Sequence, residues 1–280
     1  MAVSAIIPAF NEEGRIGDCI RSVLRFLGEG DELIIVDDGS SDYTLDEAMR
    51  SCGGGCHLIS LLEKPDGWAG KSWACYNGYL HSSGDLLVFL DADTEVVEDP
   101  HLALPLLREF DAVSQVPRVR CRTIACRAVE AAFTSLLRIT YPYWEVRGDR
   151  AWLAGSLMFW RRESYEAVGT HAAVGHSLVE DADLGRLAAR RGLRVSFFMG
   201  RIAESSWVSG WSEALSTLTR ICAARAPSMI SSLLVLVAFL YISAMAYLAP
   251  LLAYLGLVEP AVAAAYVASV YGYAALSLVE

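Results

Sequence analysis

Short, continuously apolar runs separated by acidic turns set the pattern of the first ninety residues. Val3–Ile7, Leu33–Val36 and Leu86–Leu90 each read as a buried strand, because successive apolar positions leave no face for water, and a third strand in chain order lies near His57–Leu62. Between the first two, Ile16, Ile20, Val23, Leu24 and Leu27 recur at helical spacing, and Asn11, Glu12 and Glu13 supply start signals. Thr44–Arg50 and Ser72–His81 read as further helices. Strands of this kind alternating with helices predict an α/β fold, a mostly parallel sheet with helices on both faces. Ligands of such sheets collect at the carboxyl ends of the strands. Pro8–Glu12, Asp37–Ser40 and Asp91–Asp93 all fall on that edge. Beyond residue 111 the pattern is mixed. Ala112–Val116, Ser156–Trp160 and Arg194–Met199 read as strands, and Ile124–Trp144 and Val179–Arg191 as helices.

The last fifty residues follow another rule. Met229–Leu248 contains no charged residue, and a helix of that length spans roughly 30 Å, the thickness of a bilayer's hydrocarbon. Pro250 and Gly256–Pro260 interrupt it, and a second uncharged run, Ala261–Leu278, follows. The expectation is a domain over residues 1–226 and a membrane anchor over 227–280, a transmembrane hairpin of helices at about 229–248 and 261–278. Arg220 and Arg225 precede the first run, which by the positive-inside rule sets the large domain on the cytoplasmic side of the cell membrane. Met1–Phe10 lacks the basic start of a signal peptide.

A net charge of −10 argues against a nucleic-acid surface. The seven cysteines form no Cys-x-x-Cys pair and read as reduced, with a Cys52–Cys56 disulfide as the lesser alternative. His171 and His176 are candidates for an acceptor pocket.

Asp91-Ala92-Asp93 directly follows a buried strand, and residues i and i+2 of an extended chain point the same way. Both carboxylates can therefore reach one hard cation, Mg²⁺ or Mn²⁺. Gly67-Trp68-Ala69-Gly70-Lys71-Ser72 is no phosphate-binding P-loop, since Pro65 stands where that motif needs glycine. It opens a helix nonetheless, and an anion suits that position. Glu180, Asp181 and Asp183 begin another helix.

Ile6–Glu12, Val36-Asp37-Asp38-Gly39-Ser40, Asp91-Ala92-Asp93 and Glu180-Asp181, in this order, resemble family 2 glycosyltransferases of the GT-A (Rossmann-like) fold, over roughly residues 3–226. Gly-Trp-x-Gly-Lys further resembles the hopene-associated and carotenoid-acid (diaponeurosporenoate) subgroup. The resemblance implies that Pro8, Ala9, Glu12 and Asp38 hold the nucleoside of a UDP-sugar, with Asp38 accepting from the base. Lys71 would face the diphosphate, Asp91 would meet ribose or metal, and Asp93 would coordinate the Mg²⁺ or Mn²⁺. Asp181 would be the catalytic base of an inverting displacement. Gly155, Ser156 and Glu180 would stand on the acceptor side, and Trp211 would cover the acceptor mouth or sit at the lipid headgroup level. Ala154, where the family often has Asn, and Gly169-Thr170-His171, where it has Gly-Gly-His, leave the acceptor open. The Gln-x-x-Arg-Trp sequence of polymerising synthases is absent. The expected protein transfers a sugar to a membrane lipid's hydroxyl or carboxyl. The alternatives are a polyprenyl-phosphate glycosyltransferase and a non-catalytic membrane adaptor of the same fold. Neither the sugar nor the oligomeric state can be read from the chain.

Overall fold

The computed structural model describes residues 2–116, 118–121, 123, 126, 151–198, 201–205, 237, 241, 244–245 and 248–268. The chain divides into two compact units, one of 1–120 with 141–207 and one of 121–140 with 208–280.

The first unit is built on a sheet whose strands run β3-β2-β1-β4-β8-β6-β9. They are β1 (Val3–Ala9), β2 (Glu32–Asp37), β3 (His57–Ser60), β4 (Leu86–Leu90), β6 (Ala112–Gln115), β8 (Leu157–Arg161) and β9 (Val195–Phe198). The first four run parallel, as the apolar runs predicted; β8 runs antiparallel to both β4 and β6, and β9 lies parallel to β6. Every residue of β1 and β4 is buried. Pro8 lies past Ile6, the last β1 residue paired with β4, so its missing N–H interrupts no ladder on that side.

Alternation along the strands divides the core into two layers. Ala5, Ile7, Leu33, Ile35 and Val88 pack on one face with Ile16 and Ile20 of α1 (Ile16–Leu24). Ile6, Ile34, Leu87 and Phe89 pack on the other with Cys75 of α3 (Gly70–Leu80). That second layer also takes Tyr165 of α4 (Arg162–Ala167) and Leu184 of α5 (Glu180–Arg190). The remaining helix of the sheet's first half, α2 (Thr44–Cys52), follows β2.

Three short strands, β5 (Thr94–Val96), β7 (Arg118–Val119) and β10 (Ala203–Ser205), form a second sheet in the order β5-β10-β7. Runs of two or three residues carry too little periodicity to be read from sequence.

Two expectations change. Cys19 and Cys75 are free and buried, but Cys52–Cys56 and Cys121–Cys126 are disulfides, so the reading of seven reduced thiols fails for four of them. For the first pair, Gly53 and Gly54 both take positive φ and fold the end of α2 back, leaving the two Cα atoms 5.4 Å apart. The transmembrane hairpin is not confirmed: among the described residues, no helix is long and apolar enough to cross a membrane. The run 229–248 lies almost wholly outside those residues, and 261–278 is described only to 268. The second unit shows α6 (Pro260–Val267), preceded by exposed Leu251, Tyr254, Leu255 and Leu257. Apart from Cys126, the expected helix over 124–144 lies outside the described residues, as does Trp211.

Candidate active site

The β1 and β2 ends are joined first. Ala9 pairs with Asp37, and the Asp38 N–H donates to the Ala9 carbonyl at 2.9 Å. Asn11 adopts φ of 56°, a left-handed conformation that Asn tolerates better than most residues. There its side-chain oxygen accepts from Ser41 N–H at 2.9 Å, while its own N–H donates to Ser40 Oγ at 2.9 Å. Glu12 N–H donates to Thr44 Oγ1 at 2.7 Å. The loop Pro8–Glu12 and the turn Asp37–Ser40 therefore form one rim.

The start of α3 is the hub of the cleft. A Cβ placed on Gly70 would stand 2.2 Å from Asp38 Oδ2, so only glycine lets the helix begin against that carboxylate. One residue on, Lys71 Nζ lies 2.6 Å from Asp91 Oδ1 and 3.0 Å from Glu180 Oε1. This ammonium ties the end of β4 to the start of α5. Gly155 completes the contact. Its N–H donates to Asp181 Oδ2 at 2.7 Å, and a Cβ there would meet that oxygen at 2.8 Å and Lys71 Nζ at 2.9 Å. The Asp91 N–H donates to the Ser156 carbonyl at 3.3 Å. Asp38, Lys71, Asp91, Gly155, Ser156, Glu180 and Asp181 thus meet around α3.

Electrostatics add Glu12 and Asp93 to the group. Burial, then the charges of Asp93 and Asp91, push the Glu12 carboxyl up to about 7, with Arg15 opposing. Burial and Asp91 push Asp93 up to about 6. Burial and Glu180 push Asp181 up to about 6. Burial works against the charge on Lys71, but Asp91 and Glu180 outweigh it and hold the ammonium protonated. Asp38 is raised by burial and partly restored by Lys64, 3.7 Å away. Among the described residues, six carboxylates, Glu12, Asp38, Asp91, Asp93, Glu180 and Asp181, therefore face three cations, Arg15, Lys64 and Lys71.

Such a surplus suits a divalent ion. Among the described residues no three acid, His or Cys side chains close on one point as a metal cage. Asp91 and Asp93 supply hard oxygens from one turn, and Mg²⁺ or Mn²⁺ is commonly held by one or two carboxylates with phosphate and water completing the shell. The residues fit that pattern.

Sequence reasoning missed several supports. Thr94 and Ser205 hydroxyls donate to Asp93 Oδ1 at 3.2 and 3.4 Å. Thr94 was adjacent and could have been found; Ser205 comes from β10, 112 residues away. Trp68 packs on Gly175, where a Cβ would stand 2.9 Å from the indole, and the neighbouring Ala69 N–H donates to the Gly175 carbonyl at 2.6 Å. This clamps the loop before α3 onto the segment leading to Glu180. His171 is no acceptor-pocket residue: it is fully buried against Phe89, with its Nδ1 2.5 Å from the Tyr165 hydroxyl.

This architecture, with acidic strand ends and a helix start at one edge of a mostly parallel sheet, is a GT-A-like α/β fold. Residues 4–124 match the family model "Glycosyl transferase family 2". Its relatives include the 4,4'-diaponeurosporenoate glycosyltransferase of Staphylococcus aureus, 28% identical over 233 residues, which are 77% of this chain and 61% of that protein. The chain thus spans about three fifths of the length of the curated relatives it matches. Among solved structures it resembles the mannosyltransferase PcManGT from Pyrobaculum calidifontis in complex with GDP-Man and Mn²⁺. The TM-score is 0.59 and the identity 20%, over 79% of this chain and 61% of that one. A second is glucosyl-3-phosphoglycerate synthase from Mycobacterium tuberculosis with Mn²⁺, UDP-glucose and phosphoglyceric acid. There the TM-score is 0.51 and the identity 23%, over 80% of this chain and 79% of that one.

Proposed function

We propose that the protein transfers a sugar from a nucleotide diphosphate donor, a UDP-sugar, to a hydroxyl or carboxyl of a membrane lipid, with inversion at the anomeric carbon. The observation that carries this reading is the meeting of Asp38, Asp91 and Asp181 around the start of α3. The donor ligands of PcManGT and the mycobacterial synthase support a nucleotide-sugar donor with a divalent metal. The diaponeurosporenoate relative supports a lipid acceptor.

In this reading the rim of Ala9, Glu12 and Asp38 holds the nucleoside, and the Asp38 carboxylate accepts from a ring N–H. Asp91 and Asp93 would hold Mg²⁺ or Mn²⁺, which neutralises charge on the departing diphosphate. Lys71 supplies further positive charge at the same place. Asp181 takes the proton from the acceptor oxygen. Its raised pKa, about 6, gives it more basicity than an ordinary carboxylate while leaving it mostly ionised at neutral pH. Backbone N–H groups orient the carboxylate, Gly155 donating to Oδ2 and Ala182 to Oδ1, each at 2.7 Å.

The exposed apolar side chains of Leu251, Tyr254, Leu255 and Leu257 support attachment to a bilayer, and Arg220 and Arg225, just before the uncharged run 229–248, support a cytoplasmic side for the catalytic unit.

The test is transfer from UDP- and GDP-sugars to a membrane lipid extract with Mn²⁺, products identified by mass spectrometry. Neither transfer nor donor hydrolysis would overturn the reading and leave the non-catalytic adaptor. Asp181→Asn should lower transfer about 10²- to 10⁴-fold. A variant that kept full rate would instead favour a phosphate acceptor, which needs no base.

A further inference from the structure

Lys71 Nζ lies 2.6 Å from Asp91 Oδ1. The proposed donor site asks Asp91 to serve a divalent cation, and the same carboxylate oxygen cannot give full contact to both. Glu180 Oε1 stands 3.0 Å from the ammonium on its other side, and only 6% of the Glu180 residue is exposed. Lys71 therefore has a buried anchor that remains when Asp91 is given up. A third of its side chain is exposed. Gly155 gives no side chain to hinder it, since a Cβ there would lie 2.9 Å from Nζ.

We infer that Lys71 is a built-in competitor of the divalent cation, occupying Asp91 until a nucleotide diphosphate offers its phosphates as a replacement partner. The inference rests on the proposed donor-site reading and adds an order to it. Without nucleotide, a cation entering at Asp91 and Asp93 meets the ammonium at close range, and the repulsion weakens its binding. With nucleotide, Lys71 keeps Glu180 and turns to the diphosphate, so Asp91 comes free and the repulsion is offset by new negative charge. Metal and nucleotide then bind with positive coupling, each raising the other's affinity by the same factor. Lys71 is in this respect a positioning residue, whose effect on the cation passes through Asp91.

The experiment measures Mn²⁺ affinity of the purified full chain by the electron paramagnetic resonance signal of free Mn²⁺. It is done first with Mn²⁺ alone and then with saturating UDP, for wild type, Lys71→Met and Lys71→Arg. Thermal unfolding of each variant confirms that it is folded. The expected result is that Lys71→Met binds Mn²⁺ alone roughly tenfold more tightly than wild type. It should also lose most of the enhancement that UDP gives wild type. Lys71→Arg, which keeps the charge, should stay near wild type with Mn²⁺ alone. Equal or weaker binding of Mn²⁺ alone by Lys71→Met overturns the competition, even if the wild type binds Mn²⁺ with UDP as the donor-site reading requires. Wild type that binds no Mn²⁺ with or without UDP overturns that reading and this inference together.

Discussion

The backbone N–H of Gly155 donates to Asp181 Oδ2 at 2.7 Å, and that oxygen leaves no space for a side chain on the donor. Residue 155 therefore does two things by lacking a Cβ: it comes close enough to orient the carboxylate, and it leaves Lys71 its place.

Gly155→Ala should separate these contacts without unfolding the sheet. The methyl has to displace Asp181, and a misplacement near 1 Å at a reacting group costs about 10²-fold in rate. The expected outcome is a large fall in kcat with Tm lowered by only a few degrees, read by transfer assay and thermal unfolding.

Gly70→Ala tests the other side of the hub. A Cβ at 2.2 Å from Asp38 Oδ2 has to push that carboxylate off the rim. If Asp38 accepts from the nucleobase, losing a hydrogen bond to a charged group weakens UDP binding about 10- to 100-fold. Asp38→Ala should match it, and calorimetric titration with UDP measures both.

The pH dependence of transfer should carry an acid limb near 6. Asp181 acts as a base only when ionised, and burial with Glu180 holds its carboxyl up to about 6, so the rate falls as pH drops through that value. Lys71 lowers this pKa. Lys71→Met should therefore move the limb of kcat/KM to higher pH, and no limb between 5 and 7 would remove Asp181 from the role.

Stability should fall in acid through His171. Burial, then Lys71, pushes this imidazole down from 6.5 to about 3, so it folds neutral beside Tyr165. Above pH 6.5 neither folded nor unfolded chain is protonated there, and the contribution is fully present. As pH falls towards 3, the unfolded chain binds a proton that the folded one refuses, and stability is lost at up to about 1.4 kcal/mol per pH unit. Urea unfolding between pH 8 and 4 measures the slope, which should flatten in His171→Phe.

Chelation should abolish transfer, and Mn²⁺ should restore it in wild type but not in Asp93→Asn. An enzyme that worked fully in excess EDTA would leave Asp91 and Asp93 without their assigned purpose.

The chain's own pattern determined the strand–helix alternation, the parallel first half of the sheet and the acidic clusters at strand ends. These are local properties: β1, β2 and β4 are apolar because they are buried on both faces, and Gly39 and Gly53 take positive φ where the chain turns. Only the tertiary structure decided which partners those clusters have. That Lys71 bridges Asp91 and Glu180, that Gly155 faces Asp181, and that Ser205 reaches Asp93 all depend on contacts between residues 20 to 112 apart in sequence. Hydrophobic periodicity records whether a side chain is buried and which way it points. It holds no record of which distant polar group will stand opposite, because that is set by how the elements pack.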